Sequence, residues 1–215
     1  MRVKTRAMMV SAIASVALVA AACGGGGGTT QPGTDQTGGQ AGGEIVIKGC
    51  TPENPLVPGN TSETCGGNVV DAFTAKLVHY NTETATPEMD VAESIETTDN
   101  QTFTVKLKPG YKFHDGTDVK AKNFVDAWNY TAAYQNGQAG SYFMGVIKGA
   151  DKASAKDSTV TELEGLKVID DYTFTIETNE PVGNLPVRLG YSAYAPLPDS
   201  FFDDPKAFED APIGA

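Results

Sequence analysis

Two histidines, His79 and His114, are the only imidazoles in the 215 residues, and His114 stands in the run His114-Asp115-Gly116-Thr117-Asp118, a set of residue types that could ligate a metal or move a proton. Their spacing argues against both. Neighbours in one tight turn point apart, and Asp with Gly is first of all a turn signal, because Gly supplies positive φ without steric cost. No Ser or Cys lies in a Gly-x-Ser-x-Gly setting that would present a nucleophile, so a secreted hydrolase is the weaker reading and no catalytic residue is assigned. No metal site and no cofactor are expected. The Asn-x-Thr/Ser triplets at Asn60, Asn100 and Asn129 match a glycosylation acceptor pattern and carry no further argument.

The cysteines are more informative. Cys50 and Cys65 bracket fourteen residues, TPENPLVPGNTSET, with three prolines and no apolar period. They lack a nearby His cluster, as zinc would need, and the C-x-x-C spacing of a redox pair. A disulfide closing this loop is expected, contributing about 3 kcal/mol through loop-closure entropy. The third, Cys23, follows Arg2, Lys4, Arg6 and the uncharged run from Ala7 to Ala22. That order is a secretory signal, too short for a membrane span. Cys23 after Ala20-Ala21-Ala22 resembles a lipobox, which implies cleavage after residue 22, lipidation of Cys23 and attachment on the outer face of the cell membrane; cleavage at an Ala-x-Ala site without a lipid is the alternative. Half of the twenty residues from Gly24 to Gly43 are glycine, a composition that makes a flexible tether of roughly 25 Å rather than a fold.

The formal charge of −11 falls to −14 once the three signal-peptide bases are removed, leaving 13 Lys and Arg against 27 Asp and Glu. Such a surface repels phosphate backbones, which excludes nucleic acid as a partner. The residues from Glu44 onward suffice for one or two domains with a real core.

Several elements can be read from pattern. A first strand is expected at Glu44 to Lys48, and a short helix from about Gly67 to Val78 on Val69, Val70, Phe73 and Leu77. A hairpin is expected to turn at Asp99-Asn100, its second strand alternating Phe103, Val105 and Leu107 with polar residues. A second hairpin is expected to turn at Asp170-Asp171; it repeats Thr-Phe-Thr plus a β-branched residue 71 positions after Thr102, so both hairpins should feed one sheet. Between them Phe124, Ala127, Trp128 and Thr131 fall at helical spacing, with Asn136-Gly137 as the stop and Trp128 as a core anchor. Lys148 to Glu164 reads as an exposed excursion with a short helix or none.

The run from Lys106 to Tyr130 resembles the signature of the peptide and nickel class of extracellular solute-binding proteins, through Gly110, Phe113, Asp115, Gly116, Ala121, Asn123 and Trp128. The segment from Leu166 to Gly214 resembles the following hairpin, helix and Pro-x-Pro strand of that family, ending inside its Pro-Ile-Gly turn. Family members usually open the helix before Trp128 with Ser or Thr and an acid in the first turn; Lys120, Lys122 and Asn123 stand there instead, which should weaken the helix start by up to about 1 kcal/mol. The resemblance implies an α/β, two-lobed type II periplasmic-binding-protein-like fold with an extra domain. It places residues 44–77 in lobe one, 78–198 in the extra domain and 199–215 in the return to lobe one, with the second lobe absent. It implies a substrate-binding lipoprotein that hands oligopeptides or dipeptides to the permease subunits of an ABC importer, and no enzyme. Other cargo in such a family, namely nickel chelates, haem, oligosaccharides or antibiotics, stays open. By correspondence with cleft-lining family segments, ligand contacts are expected from the loop Asn60, Thr61, Ser62, Glu63 and Thr64, and from Tyr142 and Tyr191.

Overall fold

The computed structural model describes residues 48–215. The signal segment, Cys23, the glycine-rich tether and nearly all of the expected strand at 44–48 lie outside the described residues.

The centre of the fold is a four-stranded antiparallel sheet, order β3-β4-β6-β5, built from β3 (Ala92–Thr97), β4 (Thr102–Leu107), β5 (Leu166–Asp170) and β6 (Thr173–Glu177). The two Thr-Phe-Thr copies pair with each other in its middle: Phe103 lies opposite Ile176, Thr104 opposite Thr175 and Val105 opposite Phe174. Period-two alternation therefore puts Phe103, Val105, Leu107, Phe174 and Ile176 on one buried face. The first hairpin turns as expected, with Asp99 Oδ1 accepting the Gln101 and Thr102 N–H groups at 2.8 Å each and Asn100 in the left-handed region at φ 57°. The second turns one residue later than expected, at Asp171-Tyr172, held by the Tyr172 N–H donating to Asp170 Oδ1 at 2.9 Å.

Across the apolar face lies α2 (Ala121–Ala132), with Phe124, Ala127, Trp128 and Thr131 all buried, as their spacing requires. Phe124 stacks on Phe174 at 5.9 Å and Trp128 meets Phe174 edge-on at 5.6 Å. The helix stops at Ala132, four residues short of the expected Asn136, and one 3₁₀ turn carries the chain to Gly137 at φ 59°.

The start of α2 is better held than its sequence suggests. Asn123 Oδ1 accepts the Lys120 N–H at 2.8 Å, while its amide donates to Leu197 O and Asp199 Oδ1, both at 3.0 Å. Acids distant in sequence supply the missing negative charge: Lys120 pairs with Asp171 at 2.8 Å and Lys122 with Asp199 at 2.6 Å. These exposed pairs contribute little individually, but they compensate two lysines placed against the helix dipole.

The expected helix at 67–78 is displaced. α1 runs Thr64–Phe73, capped by Glu63, and Leu77 belongs to the approach to β1 (Val78–Tyr80), which pairs with β2 (Pro87–Met89) in a hairpin absent from the pattern reading. Its three-residue strands are too short for periodicity to register. α3 (Ala150–Ala153) is a single turn in the excursion after β4 and α2, and α4 (Leu185–Arg188), α5 (Asp199–Asp203) and α6 (Pro205–Asp210) complete the chain. One contiguous core holds Val57 and Leu77 from the first segment, the sheet and α2, and Phe201 and Phe208 from the last.

Candidate functional site

Two depressions meet at Tyr191. The first, about 410 Å³, is walled by Tyr142, Phe143, Val146, Tyr191 and Tyr194, with Arg188 at its edge. The second, about 200 Å³, is polar and is lined by Ser62, Glu63, Thr64, Gly67, Asn68, Asp71, Tyr191 and Ser192. Five of the seven residues expected at a ligand site, Ser62, Glu63, Thr64, Tyr142 and Tyr191, are thus gathered around one ring.

The aromatic wall is a tilted stack, its neighbouring rings inclined by 31° and 35°. Tyr142 lies 4.2 Å from Phe143, and Phe143 lies 4.5 Å from Tyr191, centroid to centroid. Tyr142 is 63% exposed, far above what a core aromatic shows, so its outer face is open to a partner. Behind the stack, Tyr194 is buried; its hydroxyl donates to Phe143 O at 2.6 Å and its carbonyl accepts the Trp128 Nε1–H at 3.0 Å. The wall is therefore braced through Tyr194 onto the sheet–helix core. On its other side, Gly140 N–H donates to Gly59 O at 2.9 Å and Ala139 N–H to Asn60 Oδ1 at 3.1 Å. The two backbones approach so closely that a Cβ at Gly140 would sit 2.6 Å from Gly59 O.

Asn60 and Thr61, expected as contacts, line neither depression and make contacts within the scaffold. Asn60 holds Ala139 as described. Thr61 is 1% exposed and its hydroxyl is turned inward, donating at 2.8 Å to Pro55 O and lying 3.1 Å from Val57 O. The sequence could not separate these two from Ser62 to Thr64, because a polar loop residue reads the same whether it faces in or out.

The polar depression owes its shape to the helix cap. Both oxygens of Glu63 accept the Gly66 N–H at 2.9 Å, and Oε1 accepts from Glu53 N at 3.2 Å. The Gly66 bond, above all, holds this carboxyl below the usual carboxylate range, so it is ionised at neutral pH. Cys50 and Cys65 are bridged with their Cα atoms 5.5 Å apart, joining the end of α1 that carries Glu63 to the start of the loop.

His79 pairs with Glu88 across the exposed β1–β2 hairpin at 3.1 Å, while His114 Nδ1 faces Gly214 N–H at 3.4 Å. Asp115 accepts from the Thr117 hydroxyl at 2.6 Å, and Asp118 pairs with Lys112 at 2.5 Å. Each member of the histidine turn thus has a local partner. Among the described residues no group of three or more His, Cys, Asp or Glu could hold a metal ion.

The pattern reading missed Phe143, Tyr194, Asp71 and Arg188. Only Arg188 left a signal, as the sole arginine outside the first six residues.

Burial pushes the Tyr194 phenol up to about 12. A raised phenol pKa means that the folded state prefers the neutral form, so its contribution is complete below the unfolded value near 10 and is lost as pH rises through the folded value. Unfolding free energy should therefore fall by roughly 2 kcal/mol between about pH 10 and pH 12. Urea titrations at stepped alkaline pH check this, and Tyr194→Phe should flatten the slope.

A family model described as bacterial extracellular solute-binding proteins, family 5, middle, matches residues 86–215. The oligopeptide-binding protein OppA of Bacillus subtilis is 28% identical over 143 residues, which are 66% of this chain and 26% of that protein. A dipeptide-binding protein of Lactococcus lactis is 31% identical over 114 residues, 53% of this chain and 20% of its own length. Among solved structures, the Escherichia coli murein tripeptide-binding protein MppA superposes with a TM-score of 0.71 at 23% identity, covering 78% of this chain and 33% of that one. Haemophilus influenzae OppA in complex with the peptide RPPGFSPFR gives 0.69 at 24% identity, covering 74% and 32%. The chain thus spans about a third or less of the length of these relatives.

Proposed function

The chain belongs to the family 5 bacterial extracellular solute-binding proteins, and from that premise we propose that it takes part in capturing short peptides outside the cell for an ABC importer. The single observation that carries the reading is the pair of depressions meeting at Tyr191, one aromatic and one polar with an ionised carboxylate. An extended peptide presents alternating apolar and polar groups and a backbone of donors and acceptors. Open aromatic rings beside fixed polar groups suit that mixed surface while tolerating different side chains.

In this reading residues 44–77 and 199–215 form part of one lobe and residues 78–198 an additional domain. Cys23 carries the lipid that holds the protein on the outer face of the cell membrane, where permease subunits meet it. In this reading the site binds rather than catalyses, which membership in a family of solute-binding proteins supports; His79 and His114 are engaged in contacts elsewhere.

Mass spectrometry of small molecules retained by the protein from its native host, followed by calorimetric titration with a pool of short peptides, tests this. Peptides should be retained, and Tyr191→Ala should weaken their binding about tenfold, the scale of a central aromatic contact. A protein that retains another class of molecule and releases no heat with peptides would overturn the reading.

A further inference from the structure

Arg188 is the only arginine among the described residues, and it stands at the edge of the aromatic depression. Its position is fixed by α4: the Leu189 N–H closes onto Leu185 O at 3.2 Å, and the Tyr191 N–H donates to Arg188 O at 3.0 Å. Residue 188 and the ring of Tyr191 are thus set by one short backbone turn. The cations of Lys76, Lys112, Lys120, Lys122, Lys148, Lys152 and Lys206 are all neutralised by carboxylates of this acidic chain. The Arg188 guanidinium has no such partner and no side-chain hydrogen bond among the described residues. The two acids at the site, Glu63 and Asp71, line the other depression, with Asp71 already paired to Lys76 at 2.9 Å.

A planar, permanently charged fork at the rim of an aromatic wall is a receptor for a carboxylate on a short apolar stem. The stem packs on the rings while the oxygens accept from the guanidinium. We propose that Arg188 makes this depression selective for an acidic side chain, glutamate above all, in the bound peptide. The inference rests on the peptide-capture reading and adds a specificity to it. It has a physical motive in the charge of the molecule, since a net charge of −11 disfavours anionic ligands everywhere that no local cation offsets it.

The test compares the peptide Ala-Ala-Glu-Ala-Ala with its Gln counterpart, each with a free and an amidated C-terminus, against the whole chain and its Arg188→Gln and Arg188→Lys variants. Binding is followed by NMR shifts of the Arg188 Nε–H resonance, identified by its absence from the Lys variant, and of the backbone around Tyr191. The Glu peptide should bind about fivefold more tightly than the Gln peptide at low salt, the scale of one partly exposed charge-assisted contact. The ratio should fall toward one at high salt and in Arg188→Gln, whose circular dichroism and urea midpoint, matching those of the parent chain, show that its fold is intact. Arg188→Lys should keep part of the ratio. Equal binding of the two peptides by the unaltered protein, or a preference that survives Arg188→Gln, would overturn the proposal alone. A preference that vanishes on C-terminal amidation would reassign the carboxylate to the chain end and also overturn it. No shifts with either peptide would overturn the capture reading as well.

Discussion

Trp128→Ala is expected to remove about 3–5 kcal/mol of stability, the range for deleting a large aromatic from a closed core. The indole is fully buried and meets three aromatic rings edge-on: Phe124 at 6.2 Å, Phe174 at 5.6 Å and Tyr194 at 5.5 Å. Its Nε1–H also satisfies Tyr194 O, a carbonyl that truncation would leave buried without a partner. Domains of this size have about 5–15 kcal/mol in total, so the loss is a large share of the whole and should lower the urea midpoint markedly. Trp128→Phe separates the two contributions. It keeps most of the apolar volume and loses the hydrogen bond, for about 1–3 kcal/mol. Because the only tryptophan is removed, denaturation is followed by circular dichroism in urea. Equal midpoints for the alanine variant and the parent chain would show that the helix–sheet interface is not the core of the fold. The loss should also reach the aromatic depression, since Tyr194 is the link between Trp128 and the Phe143 backbone.

The legibility of this molecule in its sequence follows the length of its elements. β4, β6 and α2 carry five or more residues with consistent period, and their buried faces coincide with the alternation of Phe103, Val105, Leu107, Phe174 and Ile176 and the helical stripe ending at Thr131. α1 was displaced because Val69, Val70, Phe73 and Leu77 fit a helix at several registers; the decisive signal was Glu63 capping Gly66, and Glu is not a favoured cap residue. The β1–β2 hairpin left nothing to read in strands of three residues. The reach of Asp171 and Asp199 to the lysines at the start of α2 depends on tertiary placement 51 and 77 residues away, so the weakness expected there from the local sequence is offset by contacts that local sequence does not reveal. At the site, aromatic residues were recognisable as candidates, but Thr61, buried within its polar loop, shows that such a loop hides which members face inward. Arg188 was visible only as a rarity.

Reducing the Cys50–Cys65 bridge is expected to lower stability by about 3 kcal/mol, the chain-entropy value for a loop of this size, and to act first on the polar half of the site. The sequence separation is 15, and the enclosed segment has few internal ties: Val57 O accepts the Asn60 and Thr61 N–H groups, and Thr61 anchors to Pro55 and Val57. Without the covalent clip those contacts must order the loop alone, and the Glu63 cap at its end and the Asn60 hold on Ala139 both depend on that order. Hydrogen exchange should therefore quicken at Asn60, Thr61 and Gly66 in the Cys50→Ser, Cys65→Ser variant, while the amides paired between β4 and β6 keep their relative protection. Thiol titration of unreduced, unfolded protein gives the complementary count. Neither Cys50 nor Cys65 should react, whereas both should after reduction. Two reactive thiols at these positions before reduction, or a double variant with unchanged thermal midpoint and unchanged exchange around Gly66, would show that the loop holds its shape by packing and that the bridge contributes nothing to the site.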